Sequence, residues 1–135
     1  MTTALIKYQG SLRTEAQHLD SGQKIITDAP KDNKGEGEAF SPSDLLSTSL
    51  ASCMLTIMGI VARQQNIEIE GVQAKMKKFM TASPRRVCEI QINFLFPKSY
   101  EQEQKKLLEQ AALHCPVAQS LSASLKQTIS FNYPS

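Results

Sequence analysis

Between Leu45 and Ala62 the chain carries no Asp, Glu, Lys or Arg, although charged residues make up 21% of its 135 residues. A helix without charge on any side has no face suited to water, so it must be enclosed. A membrane could enclose it, but a span close to the minimum of about 20 residues and interrupted by Ser47, Thr48, Ser49, Ser52, Thr56 and Gly59 suits lipid poorly. The stretch therefore reads as the centre of a sheet-wrapped core or of an interface between two copies of the chain. Its start is well marked. Ser41 can cap, Pro42 suits the first helical position, and Asp44 stands where a capping-box acid belongs, so a helix is predicted from Pro42 to about Gln65.

The remaining elements read as strands and shorter helices around this one. Three short alternating runs from Ala4 to Thr27 predict an antiparallel meander. Asp28 to Glu38 is polar and non-periodic, and is expected to be a mobile surface loop. Val72, Ala74 and Met76, then Cys88, Ile90, Ile92, Phe94 and Phe96, alternate with polar residues about a Ser83-Pro84 turn and predict a hairpin. Ser99 and Gln102 suggest a capping box opening a helix over Tyr100 to Leu113. Pro116 interrupts it, which makes Cys115 the cap of a short helix through Leu121. A last strand places Leu125, Ile129, Phe131 and Tyr133 on one face. The expected fold class is α+β, in a single domain over residues 1–135.

Charge excludes some partners. The net charge is +2 and the basic residues are scattered, which gives no electrostatic reason to expect a nucleic acid or an anionic membrane. Lys7, Arg13, Glu15 and Asp20 break up the first twenty residues, so no secretory signal is expected there and the cytosol is the expected location. Cysteines stand at 53, 88 and 115, an odd number poorly suited to a structural disulfide framework. With no CxxC and only His18 and His114, neither a metal nor a cofactor is expected.

On local grounds alone Cys53 reads as a small buried hydrophobe. Cys115 faces the unsatisfied N–H groups of a helix start, which favour a thiolate, although a cap residue beside a kink explains it about equally well. Cys88 falls in register with Ile90 and Ile92, so packing accounts for it. The run Ser41-Pro42-Ser43-Asp44-Leu45-Leu46 leading to Ala51-Ser52-Cys53, followed by Cys115-Pro116-Val117-Ala118-Gln119-Ser120-Leu121, resembles the two motifs of the OsmC/Ohr family of osmotically inducible and organic hydroperoxide resistance proteins. The order of elements agrees over nearly the whole chain.

The resemblance implies an OsmC-like fold in an intertwined homodimer with the uncharged helices central. It also implies reduction of organic hydroperoxides, with Cys53 attacking the peroxide, Cys115 resolving the product to a disulfide, and a dithiol or a lipoyl-bearing protein as reductant. A thiol of ordinary pKa is about 3% ionised at pH 7, so raising the thiolate fraction supplies at most about thirtyfold, and a donor for the departing oxygen must supply the rest. The family uses an arginine held by a glutamate directly after the helix-opening proline. Arg13, in Gly10-Ser11-Leu12-Arg13, matches the arginine, whereas Ser43 stands at the glutamate position with Asp44 one residue later, a rotation of about 100° along a helix. Ser43 and Asp44 are thus candidate binding residues that depart from the family pattern. The departure keeps open a binding module that holds a small apolar or thiol-bearing molecule without turnover. A hotdog-type thioesterase is the remaining alternative.

Overall fold

The structure is a computed structural model that describes residues 1–135. The chain divides into two compact units, Met1–Leu46 and Ser47–Ser135.

In the first unit, β1 (Ala4–Gly10), β2 (Arg13–His18) and β3 (Lys24–Asp28) form the expected antiparallel meander in the order β1-β2-β3. Gly10, at φ +87°, ends β1 at a register irregularity just before the Ser11-Leu12 turn, a conformation that glycine reaches without strain. The register places Arg13 opposite Asp28 and Glu15 opposite Ile26. Ile6, Tyr8, Ile25 and Ile26 remain exposed within the chain.

The polar segment after β3 differs from the mobile loop expected. Asp28 donates its N–H to the Phe40 carbonyl at 3.0 Å, and Gly37 donates to the Ala29 carbonyl at 3.1 Å, so the segment closes on its own ends. A Cβ at Gly35 would lie 1.7 Å from the Ala29 oxygen, so only glycine permits this return. The composition reads as a loose loop because the groups that fasten it are backbone groups, which every residue carries.

Helix α1 runs from Pro42 to Gln64. Asp44 donates its N–H to Ser41 Oγ at 3.0 Å, and Ser41 donates its N–H to Asp44 Oδ2 at 3.0 Å, a reciprocal capping box.

In the second unit the later turns of α1 present Leu50, Met54, Met58 and Ala62, spaced as one helical face, each no more than 2% exposed. They share one core with Ile90, Ile92 and Phe94 of a sheet formed by β4 (Gln73–Ala82), β5 (Arg85–Leu95) and β6 (Lys126–Asn132). β4 and β5 are an antiparallel hairpin, whereas β5 and β6 run parallel. Parallel neighbours need a crossover, and α2 (Gln102–Leu113) with α3 (Pro116–Ser120) provides it. Phe94 stacks on Phe131 with centroids 5.4 Å apart.

One expectation is narrowed and two are corrected. The uncharged helix is not enclosed on all sides by its own chain: Leu46 and Ile60 are 40% and 50% exposed, and Ser52 and Thr56 are exposed with them. Cys88 does not continue the inward row of Ile90 and Ile92. A bulge between Phe79 and Met80 shifts the register, Val87 takes the buried position, and Cys88 is left half-buried with its thiol donating to the Phe79 carbonyl at 3.3 Å. The second capping box uses Glu101 and Gln104, two residues beyond Ser99 and Gln102. Tyr100 stays outside that helix because its ring packs edge-on to Phe96 and its hydroxyl donates to the Glu68 carbonyl at 2.7 Å.

Candidate functional site

The α1 core face sets the position of Cys53, which lies one residue before buried Met54 and one turn beyond buried Leu50 and is itself only half-buried. Cys115 comes from the crossover. Its extended backbone (φ −68°, ψ 153°) and Pro116 at the first helical position make it the cap of α3, and its sulfur accepts the Ala118 N–H at 3.4 Å. Cys115 is 0% exposed. The two thiols, 53 from mid-helix and 115 from a helix start, lie near enough for Cys53 to act on the ionisation of Cys115.

Burial pushes the Cys115 thiol above its ordinary value; the Ala118 N–H opposes this, and the neighbouring Cys53 thiol adds to it. Of the two readings of Cys115, this disfavours the one in which the helix start promotes a thiolate. Taking the sulfur wholly out of water outweighs the few N–H groups of a five-residue helix. The site therefore pairs a half-buried thiol with a buried one whose ionisation is disfavoured.

Arg13 is found with partners that the sequence reading did not assign. Its Nη2 lies 3.4 Å from Asp28 Oδ2 and also donates to Glu38 Oε1, while Asp28 Oδ2 accepts the Glu38 N–H at 2.9 Å. The Glu38 N–H, opposed by burial and joined by Arg13, holds the Asp28 carboxyl below the usual carboxylate range; Asp28, with Glu38 assisting, raises Arg13. One signal for Asp28 was available: an acid closing β3 faces an arginine opening β2 once the meander register is set. No sequence pattern marks Glu38, because it reaches Arg13 through the fold of the loop. Asp44 is engaged in the α1 cap, and Ser43 Oγ lies 3.3 Å from Ser41 Oγ.

A cleft of about 820 Å³ lies elsewhere, at the far end of α1 between Thr56, Ile60 and Arg63 and the following segment with Glu68 and Glu70.

A pair of neighbouring thiols, one on a long uncharged helix and one capping a Cys-Pro helix, in a chain that runs from meander through helix to mixed sheet, fits an OsmC-type α+β protein. The sequence profile described as OsmC-like protein matches residues 35–130, and the chain belongs to that family. Its structure is similar to that of a candidate osmotic stress induced and detoxification response protein of Psychrobacter arcticus 273-4, at 52% identity and TM-score 0.95 over 98% of this chain and 96% of that one. It also resembles an organic hydroperoxide resistance protein OsmC of Legionella pneumophila, described as a predicted redox protein, at 21% identity and TM-score 0.75 over 98% of each chain. A candidate organic hydroperoxide resistance protein of Vibrio cholerae with captopril in one of its active sites matches at 18% identity and TM-score 0.71, over 98% of this chain and 92% of that one. No curated protein sequence matches the chain. The OsmC-like fold sets aside the hotdog alternative.

Proposed function

We propose that this protein is a cytosolic, homodimeric thiol peroxidase that reduces organic hydroperoxides to alcohols. The observation that carries the reading is the nearness of a half-buried Cys53 to a buried Cys115 whose ionisation is disfavoured. The Cys53 thiolate attacks the terminal oxygen of ROOH, the O–O bond breaks, and the alkoxide leaves as ROH on taking a proton, with Cys53 oxidised to a sulfenic acid. The Cys115 sulfur then attacks the Cys53 sulfur, its proton leaves with the hydroxyl as water, and a disulfide forms. An external dithiol, free or lipoyl-borne, returns both thiols by exchange and is itself oxidised to a disulfide. Arg13 is assigned to the departing oxygen, as the resemblance implies, and its guanidinium stays charged at any working pH.

Several features support this reading. The family membership, the naming of two similar structures for organic hydroperoxide resistance, and the apolar setting of Cys53 among residues packed on the core all agree with it. The open face of α1 supports a second copy as its cover, since Leu46, Ser52, Thr56 and Ile60 lie exposed on a helix without charge between Leu45 and Ala62. A second reading, a binding module without turnover, is favoured by one observation: the acid nearest the family glutamate position, Asp44, is occupied in capping α1.

Dithiothreitol-dependent consumption of cumene hydroperoxide by the wild type and by Cys53→Ser decides between them. Turnover in the wild type that disappears in the variant is the expected result. A folded wild type without turnover overturns the peroxidase reading.

A further inference from the structure

Resting on the peroxidase reading, we propose that Glu38 is the positioning residue of Arg13, performing from the loop after β3 the part that the family gives to an acid after the helix-opening proline.

The geometry of the arginine's partners argues for this. Asp28 faces Arg13 in the strand register and is wholly buried, but its one contact with the arginine is long, at 3.4 Å, and its Oδ1 and the buried Arg13 Nε have no partner. Asp28 alone thus leaves the guanidinium free to turn about that contact. Glu38 supplies the second carboxylate on the same Nη2, and its own N–H fastens Asp28 at 2.9 Å. One residue therefore holds the arginine from its side chain and the arginine's other acid from its backbone.

The loop is built to deliver it. The Asp28 to Phe40 hydrogen bond closes the segment, the Gly37 to Ala29 bond sits one residue before Glu38, and Gly35 allows the close return past Ala29. Yet the Glu38 side chain is 67% exposed, so little of the fold rests on it. An exposed acid that contributes little to stability, set by a closed loop against an arginine, is what a positioning role requires.

The test measures kcat, KM and thermal midpoint for wild type, Glu38→Gln and Glu38→Asp, with cumene hydroperoxide and dithiothreitol. A donor aimed at the departing oxygen acts in the transition state, so Glu38→Gln is expected to lower kcat by about tenfold and leave KM within about twofold. The thermal midpoint is expected to move by less than about 3 °C. Glu38→Asp, which keeps the charge on a shorter stem, is expected to recover most of the loss. A turning-over wild type with Glu38→Gln within about twofold of its kcat overturns the assignment of Glu38 and leaves the peroxidase reading intact. Equal losses in both variants, or a loss that tracks a fallen thermal midpoint, also overturn it, since they mark a structural part. A wild type without turnover removes both the reading and the assignment.

Discussion

Joining Cys53 to Cys115 should make the oxidised protein markedly harder to unfold. Cys53 lies near enough to Cys115 to act on its ionisation, so a bond between them is within reach of a small adjustment of α1 or of the start of α3. Its main effect falls on the unfolded chain, which becomes a ring of about 60 residues; loop-closure entropy for such a ring corresponds to about 4 kcal/mol at 25 °C. With a urea dependence of about 2 kcal/mol per molar, that moves the midpoint upward by about 2 M. The measurement is best made in Cys88→Ser, which leaves a single possible pair, at one fixed protein concentration because self-association changes apparent stability. One equivalent of cumene hydroperoxide oxidises the sample, mass spectrometry confirms the loss of two hydrogens, and urea unfolding is followed by circular dichroism with and without dithiothreitol. Coincident curves for the oxidised and reduced forms, or an earlier transition in the oxidised form, would show that the native fold must distort to make the bond. That result would refute the claim that the two sulfurs are set in place for it.

Other consequences follow from the same geometry. Iodoacetamide at pH 7 should alkylate Cys53 at least about tenfold faster than Cys115, which is buried and resists ionisation; peptide mapping that shows the reverse order would contradict the roles given to them. Asp28, with its pKa depressed in the fold, contributes stability that is complete above about pH 4 and is lost as pH falls through its folded value. Asp28→Asn should therefore flatten the acid limb of thermal midpoint against pH, and an unchanged limb would assign that loss to other groups. Ile60→Glu places a charge on the open face of α1 and should convert a dimer to monomer in sedimentation velocity; a persisting dimer would mean that this face is not what the second copy covers.

The sequence disclosed most where pattern and backbone chemistry coincide. The α1 boundaries follow from Ser41, Pro42 and Asp44, whose reciprocal hydrogen bonds form as their spacing requires. Cys115 as a cap follows from Pro116 in the same way. Cys88 was misplaced because a bulge changes which side of a strand faces inward without altering the alternation of residue types that the eye follows. An acidic Cys115 stood as one of two readings because helix position is visible in sequence and burial is not. The Arg13 partners were missed for a related reason: Asp28 depends on strand register, and Glu38 depends on backbone ties within a loop whose composition resembles disorder.

The parallel pairing of β5 with β6 has an evolutionary consequence. An antiparallel neighbour can be reached by a turn of two residues, but a parallel one obliges the chain to travel back along the sheet before it can pair. That return journey is α2 and α3, and Cys115 sits at the joint between them. Insertions at the Ser83-Pro84 turn change only the tip of a hairpin, whereas a lost or added residue near 115 rotates α3 and offsets the strand that follows. The second thiol is therefore lodged in a stretch of chain where length variation carries through to the sheet, and drift that erases it by insertion or deletion displaces β6 at the same time.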